Sequence, residues 1–347
     1  MILKKKILSI LKLSLALGLG IFIIYLSLKD LSAQAKDDIL TSFKMANYWW
    51  VLLSISLGIL SHIVRAIRWK MLLEPMNYFP SIKSSFLAVM VGYFANLGIP
   101  RSGEVARCSV LYREDKIPVN KSFGTVIVER SIDMLIFFSL FLLTFAVEYS
   151  RIDEYIQTHI YPAINEKFAF ISTDMLFGKI ALFGAAIVIL FYFIFRKKIQ
   201  QSSFFKKIFE LANGVWQGLK SIAKIKKPFL FIIYSLSIWF LYLLMVYTCF
   251  FSLPQTSMLS LSAGLTVLVL GSIGIMITPG GIGLYPVIVA QTLVLFGISS
   301  ESGFGDAIGW ITWSTQTVMI IVVGTLSLIV LSLNKKKHDD LPAEDKI

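Results

Sequence analysis

Runs of about twenty apolar residues recur along this chain, separated by short charged segments, and they leave little choice of fold. A helix rises 1.5 Å per residue, so such a run matches a hydrocarbon core roughly 30 Å thick. The runs fall at 7–28, 48–67, 122–147, 178–195, 229–251, 258–277, 284–296 and 307–333, with a weaker, glycine-containing one at 82–99. Only 16% of the 347 residues are charged and 56% are hydrophobic. A soluble domain carries about 25% charged residues, so two soluble domains are excluded despite the length. The reading is an all-α polytopic integral membrane protein: one transmembrane domain over 1–333 and a polar tail over 334–347. The first run exceeds a secretory h-region, and Ala33-Gln34-Ala35 lies beyond its end, so it reads as a retained span.

Charge orders these runs. Between Arg196 and Lys227 there are nine Lys/Arg and one acid, Glu210, which assigns that loop to the cytoplasm. Apolar positions between those cations, Trp216 among them, suit a helix lying on anionic headgroups. The stretch 149–178 carries only Arg151 and Lys167 against four acids and belongs outside. If 82–99 crossed fully, this parity would invert. It is therefore expected to enter from the cytoplasm, break near Pro100 and return, with 101–116 at the inner surface. By the same count 258–296 is a hairpin that starts and ends outside, with its tip at Thr278-Pro279-Gly280-Gly281-Ile282-Gly283. Six or more full crossings and two cytoplasmic termini follow. Gly92 precedes Pro100 by the spacing that separates Gly271 from Pro279, which admits an inverted repeat built on two broken, re-entrant hairpins.

The net charge of +12 sits in these short segments, so no basic module is left for nucleic acid. Cys108 and Cys249 lack CxxC spacing, and His62, His159 and His338 are scattered, which leaves no metal site. No nucleophile motif, P-loop or dinucleotide fingerprint stands in a suitable context, so neither an enzyme nor a cofactor is expected.

The informative residues are ionisable groups at membrane depth, which cost several kcal/mol unless paired or hydrated and are functional candidates by default. Glu129, Arg130 and Asp133 lie inside the run 122–147. Glu129 and Asp133 share a helical face at i, i+4, and Arg130 projects elsewhere, toward a partner such as Glu104. Arg101, Glu104 and Arg107 repeat an i, i+3 spacing with alternating sign, either a charged platform at a cavity mouth or a solvated face of an interfacial helix. Arg65 and Arg68 end the second run, where snorkelling alone accounts for them. Asn96, within the first hairpin, donates to a substrate or satisfies backbone freed at the break. Gly280, Gly281 and Gly283 predict an irregular tip lining a polar cavity, where helix N-termini favour an anion such as a phosphate.

The order of motifs resembles the lysylphosphatidylglycerol synthase transmembrane, or flippase-like, family. Arg65-Ala66-Ile67-Arg68-Trp69 is followed by Gly92-Tyr93-Phe94-Ala95-Asn96, then by Pro100-Arg101-Ser102-Gly103-Glu104 with Arg107. Glu129-Arg130-Ser131-Ile132-Asp133 and Pro279-Gly280-Gly281-Ile282-Gly283 complete the series, which spans about 48–333. The resemblance implies a protein of the cell membrane whose charged residues, Arg65 to Asp133, line one cavity that admits a lipid head. Its expected partner is a membrane phospholipid, anionic or aminoacylated, moved between leaflets. Only 14 residues follow Leu333, so aminoacyl transfer by this chain is not expected, and a separate soluble enzyme is a possible partner. Family members often carry an acid shortly after the second tip. This chain has Leu284-Tyr285-Pro286, which opens the question of its substrate. A small polar solute or ion transporter, or the membrane subunit of a lipid-modifying transferase, are the alternative readings.

Overall fold

A computed structural model of the chain describes residues 33–99, 101–155, 157–158, 225–300 and 302–339. The expected spans at 7–28 and 178–195, nearly all of the basic loop, Pro100 and the end of the tail lie outside the described residues. Within them all regular structure is helical. In chain order the helices are α1 (Ala33–Met45), α2 (Tyr48–Leu73), α3 (Ile82–Gly98), α4 (Gly103–Asp115), α5 (Val119–Val147), α6 (Tyr149–Tyr155), α7 (Pro228–Phe250), α8 (Leu261–Ile277), α9 (Leu284–Val294) and α10 (Phe304–Asp339). Among the described residues three helical stretches, Tyr48–Met76, Pro228–Phe250 and Phe304–Asn334, are long and apolar enough to cross a membrane. The 29 residues of α5 would also reach across, at about 43 Å, but its run is interrupted by Glu129, Arg130 and Asp133.

Local chemistry sets these boundaries. Asn47 caps α2 by accepting from Trp49 N–H at 3.1 Å. α2 runs six residues beyond the apolar run predicted for it and closes in a 3-10 turn, Glu74–Met76. Ser81 and Ser260 cap α3 and α8 through the amides of Ser84 and Ala263. Both 17-residue helices end in extended backbone at Ile99 and Thr278. After each break a shorter helix, α4 or α9, packs back against the one before it.

The two hairpins are copies. One constant displacement carries Ser81 onto Ser260, both ends of α3 onto those of α8, Asp115 onto Val294 and Gly92 onto Gly271. It also relates α2 to α7 and α5 to α10. Packing follows the same exchange: α3 meets α10 as α8 meets α5. The equivalent helices α2 and α7 run antiparallel. Asn47 N–H donates to Ser252 O at 2.8 Å, Ser54 Oγ to Met245 O at 2.8 Å and Arg68 Nη1 to Ser235 Oγ at 3.2 Å, so α7 numbers fall as α2 numbers rise. Equivalent helices that pair antiparallel are related by an axis perpendicular to them, which makes the repeat inverted.

Two apolar cores form, each crossed by the other half: Trp69, Leu73, Ala88 and Leu111 pack with Phe231 of α7 in one, and Phe250, Val267, Leu293 and Ile308 pack with Phe137 of α5 in the other. The first hairpin closes where Gly92 meets Gly103: a Cβ on Gly103 would stand 2.0 Å from the Gly92 carbonyl oxygen, and no side chain fits. α4 is the returning arm, with Arg107, Cys108 and Leu111 buried, because the Gly92–Gly103 approach leans it onto α3.

Candidate functional site

Two layers of polar side chains meet where α2, α4 and α5 converge. The lower layer is a buried ion network. Arg65 and Arg68, one turn apart on α2, reach across to Glu129 and Asp133, one turn apart on α5. Arg65 Nη1 donates to Glu129 Oε1 at 2.6 Å and to Asp133 Oδ2 at 2.7 Å. Arg68 Nη1 donates to Asp133 Oδ1 at 2.7 Å and stands, through Nη2, 3.4 Å from Glu129. Arg107 enters from α4 and donates to both Glu129 oxygens, at 2.6 and 3.3 Å. Its guanidinium lies 3.8 Å from the centroid of the Trp69 ring, and Thr125 Oγ1 accepts from Trp69 Nε1 at 2.8 Å. Three guanidinium groups against two carboxylates leave one buried positive charge.

For Arg65 and Arg68 the sequence left snorkelling open beside the cavity lining that the resemblance implies. They are 2% and 0% exposed: the extension of α2 to Leu73 keeps both inside the bundle opposite carboxylates, Arg65 on the cavity wall and Arg68 beneath it. The alternating face on α4 is not formed. Helix begins at Gly103, so Arg101 lies before it, while Arg107 turns inward to Glu129 and Glu104 turns to Arg130 at 3.1 Å. The Glu104–Arg130 pair is the one anticipated from the sequence. Asn96 meets the backbone need at the break: its Oδ1 accepts from Gly103 N–H at 2.8 Å.

The upper layer opens into a cavity of about 690 Å³, within the range of small-molecule sites. Of the predicted residues, Arg65, Asn96, Arg101, Glu104, Arg130, Asp133 and Gly280 line it. Arg68, Arg107 and Glu129 lie in the network beneath. Gly281 and Gly283 do not reach the wall: both are buried in the second tip, where Gly281 packs on Ile275 and Tyr285. Gly280 contributes its backbone, and its carbonyl accepts from Trp313 Nε1 at 2.8 Å. Arg101 has φ of 65° and, among the described residues, no ion-pair or hydrogen-bond partner; its counterpart under the repeat, Gly280, has φ of 60°.

Sequence reasoning missed Tyr93, Trp239 and Tyr242, which also line the cavity. Tyr242 OH accepts from Arg65 Nη2 at 3.2 Å and lies 3.4 Å from Tyr93 OH. Their signal was present but faint. Tyr93 sits at i, i+3 to Asn96 inside a motif already singled out, and Trp239 and Tyr242 share that spacing on a span that reads as uniformly apolar. An aromatic ring with a polar atom in mid-span needs a partner.

An inverted repeat of broken helical hairpins around a charged cavity is an architecture of polytopic membrane proteins. The chain belongs to the family of the lysylphosphatidylglycerol synthase TM region, which it matches over residues 9–332. It is similar to the UPF0104 membrane protein MJ1595 of Methanocaldococcus jannaschii, with 33% identity over 116 residues. That similarity covers 32% of this chain and 34% of the relative, so it spans about a third of each. No solved structure matches. Family and fold together make this a multi-pass membrane protein associated with lipid metabolism or translocation.

Proposed function

We propose that the protein moves a phospholipid or lipid-linked head between leaflets, the polar head travelling through the cavity while the acyl chains stay in the bilayer. The observation that carries this reading is the composition of the cavity wall. One end is charged, with Arg65, Arg101, Arg130 and Asp133, and another part is apolar and faces outward. Phe138, Met276 and Ile277 line the cavity while 54%, 66% and 62% exposed. α5 presents the gradient along one face, from Arg130 and Asp133 to Phe137 and Phe138, as an amphiphile with a charged head requires. A solute transporter needs a chamber walled off from lipid, which this opening does not favour. The protein sits in the cell membrane with both termini cytoplasmic, moves its cargo without altering it, and receives lipid made by a separate enzyme.

The test is reconstitution into liposomes holding fluorescent phospholipids, with outer-leaflet quenching as the readout. Wild type is expected to make inner-leaflet probe accessible faster than protein-free vesicles do. Arg130→Ala is expected to slow this at least about tenfold, since a charge-assisted hydrogen bond contributes roughly 1.5–3 kcal/mol. Its stability should change by no more than about 1 kcal/mol, because the Glu104 pair is partly exposed. Wild-type rates equal to those of empty vesicles, for every head group tried, would refute lipid movement.

A further inference from the structure

We propose that the head seat of this cavity takes a phosphomonoester, the bare phosphate of a lipid such as phosphatidic acid, clasped by Arg101 and Arg130, and that it excludes aminoacylated phosphatidylglycerol. The inference rests on the lipid reading above and names its substrate class.

Charge is the first argument. The cavity and the network beneath it hold Arg65, Arg68, Arg101, Arg107 and Arg130 against Glu104, Glu129 and Asp133. Five cations against three anions leave two positive charges, which match the roughly −1.5 to −2 of a phosphomonoester near neutral pH. A phosphodiester balances one of them, a zwitterion neither, and an aminoacylated head of net positive charge adds to the excess. Among the described residues, the second repeat unit brings no acid to the cavity wall, and Arg101, Arg130 and Asp133 correspond to Gly280, Gly309 and Thr312.

Acceptor chemistry is the second. An ammonium finds its strongest acceptors in carboxylate oxygens, and the carboxylates here are already engaged. Both oxygens of Glu129 and both of Asp133 accept from arginines, and Glu104 Oε1 accepts from Arg130. Only Glu104 Oε2 is left without a donor, one atom suited to the proton that a phosphate monoanion carries. Arg65 Nε and Trp239 Nε1, on two residues of the wall, are buried N–H donors without acceptors. The surplus is of donors, which is what phosphate oxygens accept from.

The third is the backbone at Arg101. A non-glycine residue in the left-handed region costs roughly 1–2 kcal/mol. The equivalent turn in the second unit is made by glycine, so the turn itself does not call for arginine. Its side chain lines the cavity with no ion-pair or hydrogen-bond partner among the described residues, free to fork onto phosphate as arginine geometry favours.

The full chain in zwitterionic nanodiscs is titrated calorimetrically with short-chain phosphatidic acid, phosphatidylglycerol, lysyl-phosphatidylglycerol and inorganic phosphate. Phosphatidic acid is expected to bind at least about tenfold tighter than phosphatidylglycerol, with lysyl-phosphatidylglycerol weakest of the lipids. Arg101→Gly is expected to weaken phosphatidic acid about tenfold to a hundredfold, the worth of one charge-assisted bond. Glycine suits that φ, so the melting temperature should hold or rise, which separates lost binding from lost folding. Lysyl-phosphatidylglycerol binding as tightly as phosphatidic acid, or Arg101→Gly leaving affinity unchanged, overturns the proposal. Inorganic phosphate binding as tightly as the lipid overturns its lipid part. In the liposome assay, movement indifferent to head charge sinks this proposal and leaves translocation standing. Selective phosphatidic acid binding with no lipid movement does the reverse.

Discussion

Glu129 is the residue on which the buried network turns, and Glu129→Gln tests that directly. The carboxylate is fully buried and accepts from Arg65 at 2.6 Å and from Arg107 at 2.6 and 3.3 Å, with Arg68 3.4 Å away. Glutamine keeps the shape, removes the charge and leaves three guanidinium groups facing Asp133 alone, so the buried excess rises from one positive charge to two. Breaking a buried pair by removing one partner costs about 3–5 kcal/mol, because the other charge stays desolvated and uncompensated. Arg107 has no carboxylate partner except Glu129 among the described ion pairs, so Arg107→Met combined with Glu129→Gln returns the excess to one. The double variant should therefore be more stable than the sum of the single losses implies, by about 1–3 kcal/mol. Equilibrium unfolding of the four proteins in mild detergent, followed by tryptophan fluorescence, gives the cycle. Additive losses, or a Glu129→Gln protein within about 0.5 kcal/mol of wild type, would refute a network held by charge balance.

Gly103→Ala should destabilise the protein by about 1–3 kcal/mol or more, since its Cβ would stand 2.0 Å from backbone oxygen. Gly98→Ala, with nothing within 4 Å of the added atom, should be neutral or up to about 1 kcal/mol stabilising; paired melting curves decide. Native Cys108 and Cys249 are buried, so Lys116→Cys and Ser257→Cys, both at exposed positions, can report topology through an impermeant maleimide. Labelling from opposite faces of the membrane is expected, and labelling from one face would overturn the parity argument.

What the sequence made legible was what depends on length and charge. Runs of twenty apolar residues and the sign of the segments between them predicted an all-α membrane protein with two broken hairpins. The acids on α5 stood out because ionised groups inside an apolar run need a reason. Arg65 and Arg68 did not, because an arginine at the end of an apolar run looks the same whether it faces headgroups or carboxylates. Only the continuation of α2 past 67 decides between them. Tyr93, Trp239 and Tyr242 stayed hidden for a related reason: aromatic residues in a span carry no periodic signal that separates a cavity wall from lipid contact. The repeat showed only as a shared glycine–proline spacing, since its halves differ at almost every charged position. The matching caps, Ser81 and Ser260, became meaningful once both were seen to accept from the amide three residues on.

That difference between the halves bears on why the charges exist. A buried ion network is weak evidence for stability, since apolar replacements of similar size are often neutral or better. In this chain the replacement has already been made. The constant displacement places Leu244 where Arg65 stands, Pro286 for Arg107, Ile308 for Glu129 and Thr312 for Asp133. The second unit nonetheless forms the same 17-residue helix, the same break and the same returning arm. The turn at the second break even reaches the left-handed conformation of Arg101 with a glycine, at lower conformational cost. The architecture therefore forms without the charges. In the first unit five arginines, one of them in a strained turn, are retained with two positive charges uncompensated, at a cost in stability. Folding does not require that arrangement, whereas the anionic cargo proposed above would.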